Sequence, residues 1–209
     1  MQKLLLHTCC APCGTSVFER LIDEGEYGVT AFYYNPNIRP RQEWSKRLCE
    51  LEKLVDLINV GEIVVGDGVL DVPQTEWDVE VRPGGRGRPP LQLVVSEYNV
   101  SEFEEAALGL EEEPEGGHRC EVCFRLRLMK TAEYAKANGF EVFGTTLTVS
   151  PHKNAEMINR IGREIGEQVG IEYLERDWKK DDGYKRSLEL CRQYDIYRQN
   201  YCGCGLNNK

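Results

Sequence analysis

Short apolar segments alternate with segments of helical periodicity along most of the chain. The first three predicted elements are a strand at 3–8, a helix at 15–24 and a strand at 29–35. Two consecutive strands that are joined through a helix run parallel in one sheet, because the helix carries the chain back to the starting edge. The sequence therefore predicts an α/β fold with a doubly wound, mostly parallel sheet.

The rest of the chain continues this alternation. Ser101 and Glu104 fit a capping box at the start of one helix. The Gly- and Arg-rich stretch at 82–90 predicts a loop. No repeat or long linker divides the sequence, so we expect a single domain of residues 1–209. Further strands are predicted at 62–67, within 141–154 and at 171–177, and further helices at 42–58, 101–108, 123–138, 155–170 and 183–198.

Charge and hydropathy favour a cytoplasmic protein. The net charge is −9, and no segment approaches the ~18 apolar residues that a membrane-spanning helix requires. The first residues do not have the form of a secretory signal. An acidic balance is only a weak argument against a nucleic-acid partner, because basic residues cluster locally at 39–47, 125–130 and 179–186. We therefore expect a cytoplasmic location without a membrane partner.

Nine cysteines are many for a reducing compartment, and their odd number argues against a fully paired disulfide scaffold. Clustered thiols in such a compartment more often bind metal or carry out redox chemistry. Cys49 and Cys191 stand alone inside helical patterns and are interpreted as buried thiols. The other seven fall into three groups, which are Cys9, Cys10 and Cys13, then Cys120 and Cys123, then Cys202 and Cys204.

Several metal or redox sites are compatible with these groups. Ligands of doubly wound sheets collect at the carboxyl ends of the strands, where the Cys9–Cys13 loop is expected to lie. Cys10 and Cys13 alone could form a redox dithiol, and paired cysteines could also hold zinc or an iron–sulfur cluster. The five thiolates of the first two groups exceed a four-coordinate site by one. Either one reactive cysteine stands beside zinc, or a cluster has a neighbouring metal ion. His7 is expected to be a hydrogen-bonded core histidine.

Six stretches that run in order through almost the whole chain resemble one family, the cobalamin-independent epoxyqueuosine reductases of the QueH family. Their combination is specific, although CAPC alone is a weak signal. The stretch around 82–90 departs from the family pattern as an insertion and leaves these motifs intact. The matching stretches are HTCCAPC (7–13), YNPNIRPRQEW (34–44), RCEVCFRLRL (119–128), TTLTVSPHKN (145–154), DWKKDDGYKRSLEL (177–190) and YRQNYCGC (197–204).

The resemblance implies a function, cofactors and partners. The family reduces epoxyqueuosine to queuosine at the wobble position of tRNA, and it carries a [4Fe–4S] cluster with an adjacent mononuclear iron. Its fold is similar to the nucleotide-binding α/β folds of the adenine-nucleotide hydrolase type. The expected partners are tRNA carrying epoxyqueuosine and an external electron donor, for example of the ferredoxin type. Carried over onto this chain, the cluster ligands are Cys9, Cys10, Cys120 and Cys123, and Cys13 binds the second metal.

Further residues are assigned to catalysis and substrate binding. Asp177, at the end of the strand predicted at 171–177, is a candidate metal ligand or acid, with a helix cap or a surface ion pair as the alternative. Cys202 and Cys204 are expected to relay electrons or to form a reversible disulfide near the metals. The substrate-binding candidates are Tyr34, Asn35 and Asn37 for the modified base, and Lys153 and Arg186 for phosphates.

Other classes of protein remain alternatives. An ATP-dependent tRNA-modifying enzyme of related fold would need a glycine pair after the first strand, so that a phosphate can approach the backbone, and the sequence has cysteines there instead. A zinc-containing binding module or thiol redox protein needs fewer cysteines. Iron, zinc and sulfide content distinguish these classes from an iron–sulfur enzyme.

Overall fold

A computed structural model describes residues 1–61 and 89–206 of the protein. Its centre is a sheet of five parallel strands in the spatial order β3-β2-β1-β4-β5. The strands are β1 (Gln2–His7), β2 (Tyr27–Tyr33), β3 (Gln92–Val95), β4 (Val142–Thr145) and β5 (Glu172–Tyr173). The predicted α/β fold with a mostly parallel sheet is therefore confirmed.

Within the described residues, six α-helices connect and cover these strands, and a short 3₁₀ turn (Leu147–Val149) follows β4. One packed group consists of α1, α2 and α6, and the other contains α4 and α5. Right-handed crossovers put such groups on opposite faces of a sheet whose strand order reverses at β1. The helices are α1 (Ala11–Glu24), α2 (Arg41–Asn59), α3 (Ser101–Ala106), α4 (His118–Ala137), α5 (Ala155–Val169) and α6 (Gly183–Gln193).

The central strand β1 positions the region of interest. Leu4, Leu5 and Leu6 are fully buried, as expected for a strand that is covered on both faces. Because β2 and β4 flank β1, the chain leaves β1 at the point where the strand order reverses, which is where open α/β sheets bind ligands. No helix of the described residues is long and apolar enough to cross a membrane.

Several sequence predictions of local structure were wrong. Ser101 and Glu104 do not form a capping box: Val100 is the N-cap of α3, and Glu104 pairs with Arg39 instead. Cys49 is exposed rather than buried, whereas Cys191 is buried as predicted. The tail beyond Gln193 does not continue α6, which was predicted to extend to 198.

Two predicted boundaries also moved at the carboxyl edge of the sheet. The helix predicted at 123–138 begins at His118, so that Cys120 lies inside it. The strand predicted at 171–177 is only Glu172–Tyr173. β3 was not predicted at all, because its four residues carry little apolar alternation. The strand predicted at 62–67 and residues 82–88 of the predicted loop lie outside the described residues.

Candidate metal centre

The loop between β1 and α1 gathers three thiols. Cys9 and Cys10 follow the end of β1, and Cys13 lies in the first turn of α1, whose start is favoured by Pro12. The Sγ atoms of Cys9, Cys10 and Cys13 lie within 4.8 Å of one another, and those of Cys9 and Cys10 are 3.6 Å apart. Within residues 1–61 and 89–206, this is the one group of three metal-ligating side chains held so close together.

The first turns of α4 bring a second thiol pair to the same place. Cys120 and Cys123 are three residues apart, so they share one face of the helix. Both line a cavity of about 80 Å³ that Cys9 and Cys13 also line. The Cys120 sulfur also accepts a hydrogen bond from the Gly116 amide at 3.2 Å. Two cysteine motifs that are about 110 residues apart in sequence thus share one cavity.

The C-terminal segment adds a third wall to this cavity, with Cys202 and Cys204 among its lining residues. The Arg39 amide donates to the Gly203 carbonyl at 2.9 Å, and the Arg39 Nε donates to the Cys204 carbonyl at 2.9 Å. Gly203 packs closely on the loop before α2, because an added Cβ would lie 2.8 Å from Ile38 Cγ1. The segment is therefore fixed over the thiols by backbone contacts that leave no room for a side chain.

A Gly203→Ala substitution tests this arrangement. The added methyl group would overlap Ile38 and approach Arg47, and relief of such overpacking costs ~1–3 kcal/mol, so we expect the segment to shift away. Activity should fall while the thermal unfolding midpoint changes by only a few degrees. Gly28→Ala is the control, because its Cβ would make only ordinary contacts. Unchanged activity of Gly203→Ala would contradict a fixed position for this segment.

Two positive charges lie beside the thiols, a buried Arg127 and a partly buried Lys153. Arg127 lies one turn after Cys123 on α4, and its Nε donates to the Cys123 carbonyl at 3.2 Å. Burial has the largest single effect and opposes the charge of Arg127, but the neighbouring cysteines, Cys123 first among them, together raise its pKa. Lys153 behaves alike: burial opposes its charge, and Cys9, Cys13 and Cys202 raise its pKa. Both cations stabilise anionic sulfur in this cavity.

The thiols are themselves unequal in acidity. Hydrogen bonds from Cys10 and Cys13 hold the pKa of Cys9 well below its usual value. A hydrogen bond with the Cys204 thiol lowers the pKa of Cys202 to about 5, although burial acts in the opposite direction. The same hydrogen bond raises the pKa of Cys204. Burial raises the pKa of Cys123 to about 11. Cys9 and Cys202 are therefore the sulfurs that most readily become thiolates, the form that binds metal or attacks a disulfide.

His7 has the structural role expected from the sequence. It is fully buried, with Nε2 3.1 Å from the Tyr34 carbonyl and Nδ1 3.1 Å from the Thr145 hydroxyl. A carbonyl can only accept, so Nε2 carries the proton. Burial lowers the pKa of His7 to about 3, which keeps the ring neutral at ordinary pH. His7 thus ties β1 to β4 and to the loop after β2.

Of the three polar residues predicted to meet the base, only Asn37 lines the cysteine cavity. Its Oδ1 is buried without a hydrogen-bond partner in the described residues. Asn35 is buried, and its Nδ2 donates to the Thr8 carbonyl at 3.1 Å. Tyr34 is also buried, and its hydroxyl donates to Glu102. The geometry gives Asn35 and Tyr34 a supporting position behind the cavity, and a direct substrate contact by either stays a prediction.

Of the two residues predicted to contact phosphates, Lys153 and Arg186, only Lys153 lies at the cysteine cavity. Lys153 lines the cysteine cavity. Arg186 lies on α6, where its guanidinium donates two hydrogen bonds to the Glu19 carboxylate at 2.7 and 2.9 Å. It does not line the cysteine cavity. A role for Arg186 in substrate binding stays a prediction.

Asp177 engages its own loop rather than the thiols. Its Oδ1 accepts the Lys179 amide at 3.2 Å and lies 3.3 Å from Lys179 Nζ. Lys179 in turn donates to the carbonyls of Thr148 and Lys153 at 3.1 and 3.3 Å. Asp177 is not among the lining residues of the cysteine cavity. In this geometry it orients the lysine that holds the Lys153 loop, and a role as metal ligand or acid stays a prediction.

Several polar residues of the cavity were not predicted from the sequence, among them Arg127, Arg47 and Gln199. Arg127 belongs to a basic run that reads as solvated, yet its spacing of four from Cys123 indicates the same helix face. Arg47 lines the cavity from α2. Gln199 donates to the Cys10 sulfur at 3.0 Å. The spacing of Cys123 and Arg127 could have placed Arg127 beside the thiols. No comparable pattern in the sequence places Arg47 or Gln199 there.

The donor set suits a thiolate-bound metal centre. Soft sulfur ligands select zinc or iron–sulfur clusters over harder ions. The five thiols of the first two groups exceed what one four-coordinate ion requires. The residues therefore fit a cluster with a neighbouring metal better than they fit a single structural zinc.

Comparison with known proteins agrees with this site. The family model "Epoxyqueuosine reductase QueH" matches residues 4–82 and 85–209. The epoxyqueuosine reductase QueH of Streptococcus pyogenes is 39% identical over 97% of this chain and 69% of its own length. The proteins of the same name from Staphylococcus epidermidis and Thermotoga maritima are 37% and 32% identical, over 97% and 98% of this chain and 74% and 89% of their lengths. The chain belongs to the epoxyqueuosine reductase QueH family.

Proposed function

We propose that this protein reduces epoxyqueuosine to queuosine at the wobble position of tRNA. The observation that carries the proposal is the convergence of three separate cysteine groups on one cavity, at the point where the strand order reverses. The reaction removes the epoxide oxygen as water: two electrons and two protons enter, two C–O bonds break and one carbon–carbon double bond forms. A site for this reaction needs a strong reductant, a means of holding the oxygen and exclusion of bulk water.

The proposed cofactors are a [4Fe–4S] cluster and a mononuclear iron. Cys9, Cys10, Cys120 and Cys123 would hold the cluster, and Cys13 would ligate the second iron. When bound, the cluster supplies low-potential electrons and the second iron supplies a Lewis acid for the epoxide oxygen. Burial of four of these five thiols supports the assignment, because a cluster in a dry site is protected from loss and oxidation.

The chain's own residues supply the electrostatics. Lys153 and Arg127 offset the negative charge that thiolate ligation and reduction bring into a buried cavity. Lys153 also carries protons at Nζ where negative charge develops on the departing oxygen. Asn37 Oδ1, which has no described partner, can accept a hydrogen bond from a substrate hydroxyl. Asp177 supports Lys153 through Lys179.

The third cysteine group is proposed to pass electrons. Cys202 and Cys204 line the same cavity, and the low pKa of Cys202 favours thiolate chemistry at this end of the site. An external donor, for example of the ferredoxin type, would reduce the pair or the cluster. A rival role as an ATP-dependent enzyme is not favoured, because three thiols occupy the position after β1 where a phosphate would bind.

The direct test is a reaction with tRNA that carries epoxyqueuosine. Protein purified without oxygen is mixed with this tRNA and dithionite, and the nucleosides released by digestion are identified by mass spectrometry. We expect conversion to queuosine, with the loss of one oxygen atom, and no requirement for ATP. Conversion that depends on ATP, or no conversion by protein that carries its metals, would overturn the proposal.

A further inference from the structure

A second, larger groove adjoins the cysteine cavity. Its volume is about 480 Å³, against about 80 Å³ for the cavity. It is bounded by the start of α1, the turn at 149–153, the first half of α6 and the segment at 198–202. The two spaces share lining residues, among them Cys13, Lys153 and Cys202. A molecule in the groove therefore touches the wall of the thiol site.

The sizes of the two spaces decide what each can hold. The cysteine cavity is smaller than a nucleoside, and its thiols are largely buried. The groove lies within the ~300–1,000 Å³ range of small-ligand sites. A base that remains stacked inside an RNA loop cannot reach buried sulfurs, so the reacting nucleotide has to turn outward. The groove is large enough to receive it.

The walls of the groove have the chemistry of a nucleotide site. Pro12, Val149 and Pro151 give it an apolar side on which a base can rest. Lys153 lines both the groove and the cysteine cavity, whereas Arg198 and Tyr184 line the groove alone. The Arg198 guanidinium lies 5.2 Å from the centre of the Tyr184 ring and donates to its hydroxyl at 2.7 Å. One carboxylate, that of Glu115, also lines the groove.

We infer that the groove binds a single nucleotide turned out of an RNA loop, and that Arg198, held against Tyr184, contacts a backbone phosphate beside that nucleotide. The inference deepens the proposed function and rests on it, since it places the wobble nucleotide of the substrate tRNA. An arginine that is already oriented by an aromatic ring loses less side-chain freedom when it binds phosphate. The base then extends toward Lys153 and the thiol wall, while the RNA loop stays outside.

The test compares Arg198→Gln with Arg192→Gln. Arg192 is an exposed arginine on α6 that lines neither space, so its removal makes the same change in net charge. Affinity is measured by fluorescence anisotropy with the metal-loaded protein and a labelled anticodon stem-loop that carries queuosine, without reductant. We expect about 10-fold weaker binding for Arg198→Gln, and a salt dependence smaller by about 0.7 in log–log slope. Arg192→Gln should bind within about 2-fold of the wild type.

A second measurement does not depend on any substitution. A stem-loop with 4-thiouridine at the wobble position is bound and irradiated, and the cross-linked peptides are identified. Cross-links within 12–13, 149–153, 184–187 or 198–202, or at Glu115, support the inference. Cross-links elsewhere, or equal affinities of Arg198→Gln and the wild type, would overturn it. Neither measurement involves turnover, so both can be made even if the protein does not catalyse the proposed reaction. Failure of that reaction is recognised separately, by the absence of queuosine formation.

Discussion

Replacing any one of Cys9, Cys10, Cys120 or Cys123 with Ala is expected to abolish the visible absorption of an iron–sulfur cluster and to reduce activity at least ~100-fold. The physical reason is that both cysteine motifs reach the same buried cavity, so the loss of one thiolate from either side leaves a cluster iron without its ligand. Iron and sulfide are assayed on protein that is purified without oxygen.

Two further variants make this experiment specific. Cys49→Ala is the matched control, because Cys49 is exposed on α2, outside the three groups, and its loss should leave iron, sulfide and activity unchanged. Cys13→Ala should keep most of the cluster absorption and lose activity, since Cys13 is assigned to the second iron. Full iron and sulfide content in all four single variants would contradict the assignment. Loss of the whole cluster in Cys13→Ala would make Cys13 a cluster ligand.

The double replacement of Cys202 and Cys204 with Ser is expected to reduce turnover at least ~10-fold while iron content and tRNA affinity stay close to the wild type. The pair lies on the cavity wall, and its two thiols differ in acidity in the way that thiol–disulfide exchange requires. Serine keeps the size and the hydrogen-bonding capacity of the side chains, so the fixed backbone of this segment is retained.

The choice of electron donor separates a redox role from a purely structural one. With dithionite, which can reduce a metal centre directly, the double variant should recover part of its turnover. With a protein donor or a dithiol it should not. Equal turnover of the double variant and the wild type with both kinds of donor would leave the pair without a redox role. An equal loss with both donors, together with weakened tRNA binding, would assign the segment to closure of the site.

The sequence predicted the parts of the fold that depend on local patterns. The run of three leucines in β1 and the helical spacing of α2 and α5 are properties of neighbouring residues, so their elements lie close to the predicted positions. α1 ends where it was predicted to end but begins at Ala11, four residues before the predicted start. β3 pairs with β2 over only four residues, which are half exposed and lack a clear alternation, so its pairing depends on tertiary contacts that no local pattern records. The early start of α4 has a similar cause, because the polar residues before Cys120 carry no apolar period.

The candidate site was predictable in its thiols and less so in its charges. Motif spacing, together with the rule that ligands bind at the carboxyl ends of the strands, predicted that the cysteine groups meet at one edge of the sheet. Asp177 and Tyr34 satisfied the same rule, yet Asp177 is engaged by Lys179, two residues further on in its own loop. Tyr34 is engaged by Glu102, which becomes adjacent only in the folded chain. Gln199 is a site residue that the rule did not identify, because it reaches the Cys10 sulfur from a position 189 residues further along the chain.

The ratio of iron to acid-labile sulfide to zinc in the wild-type protein, purified without oxygen, tests most directly whether the cysteine cavity holds an iron–sulfur centre beside a second iron. We expect iron in excess of sulfide by one atom for each cluster, little zinc, and a broad visible absorption that dithionite bleaches. Colourless protein with one zinc per chain and no sulfide, active or not, would contradict the proposed metal centre.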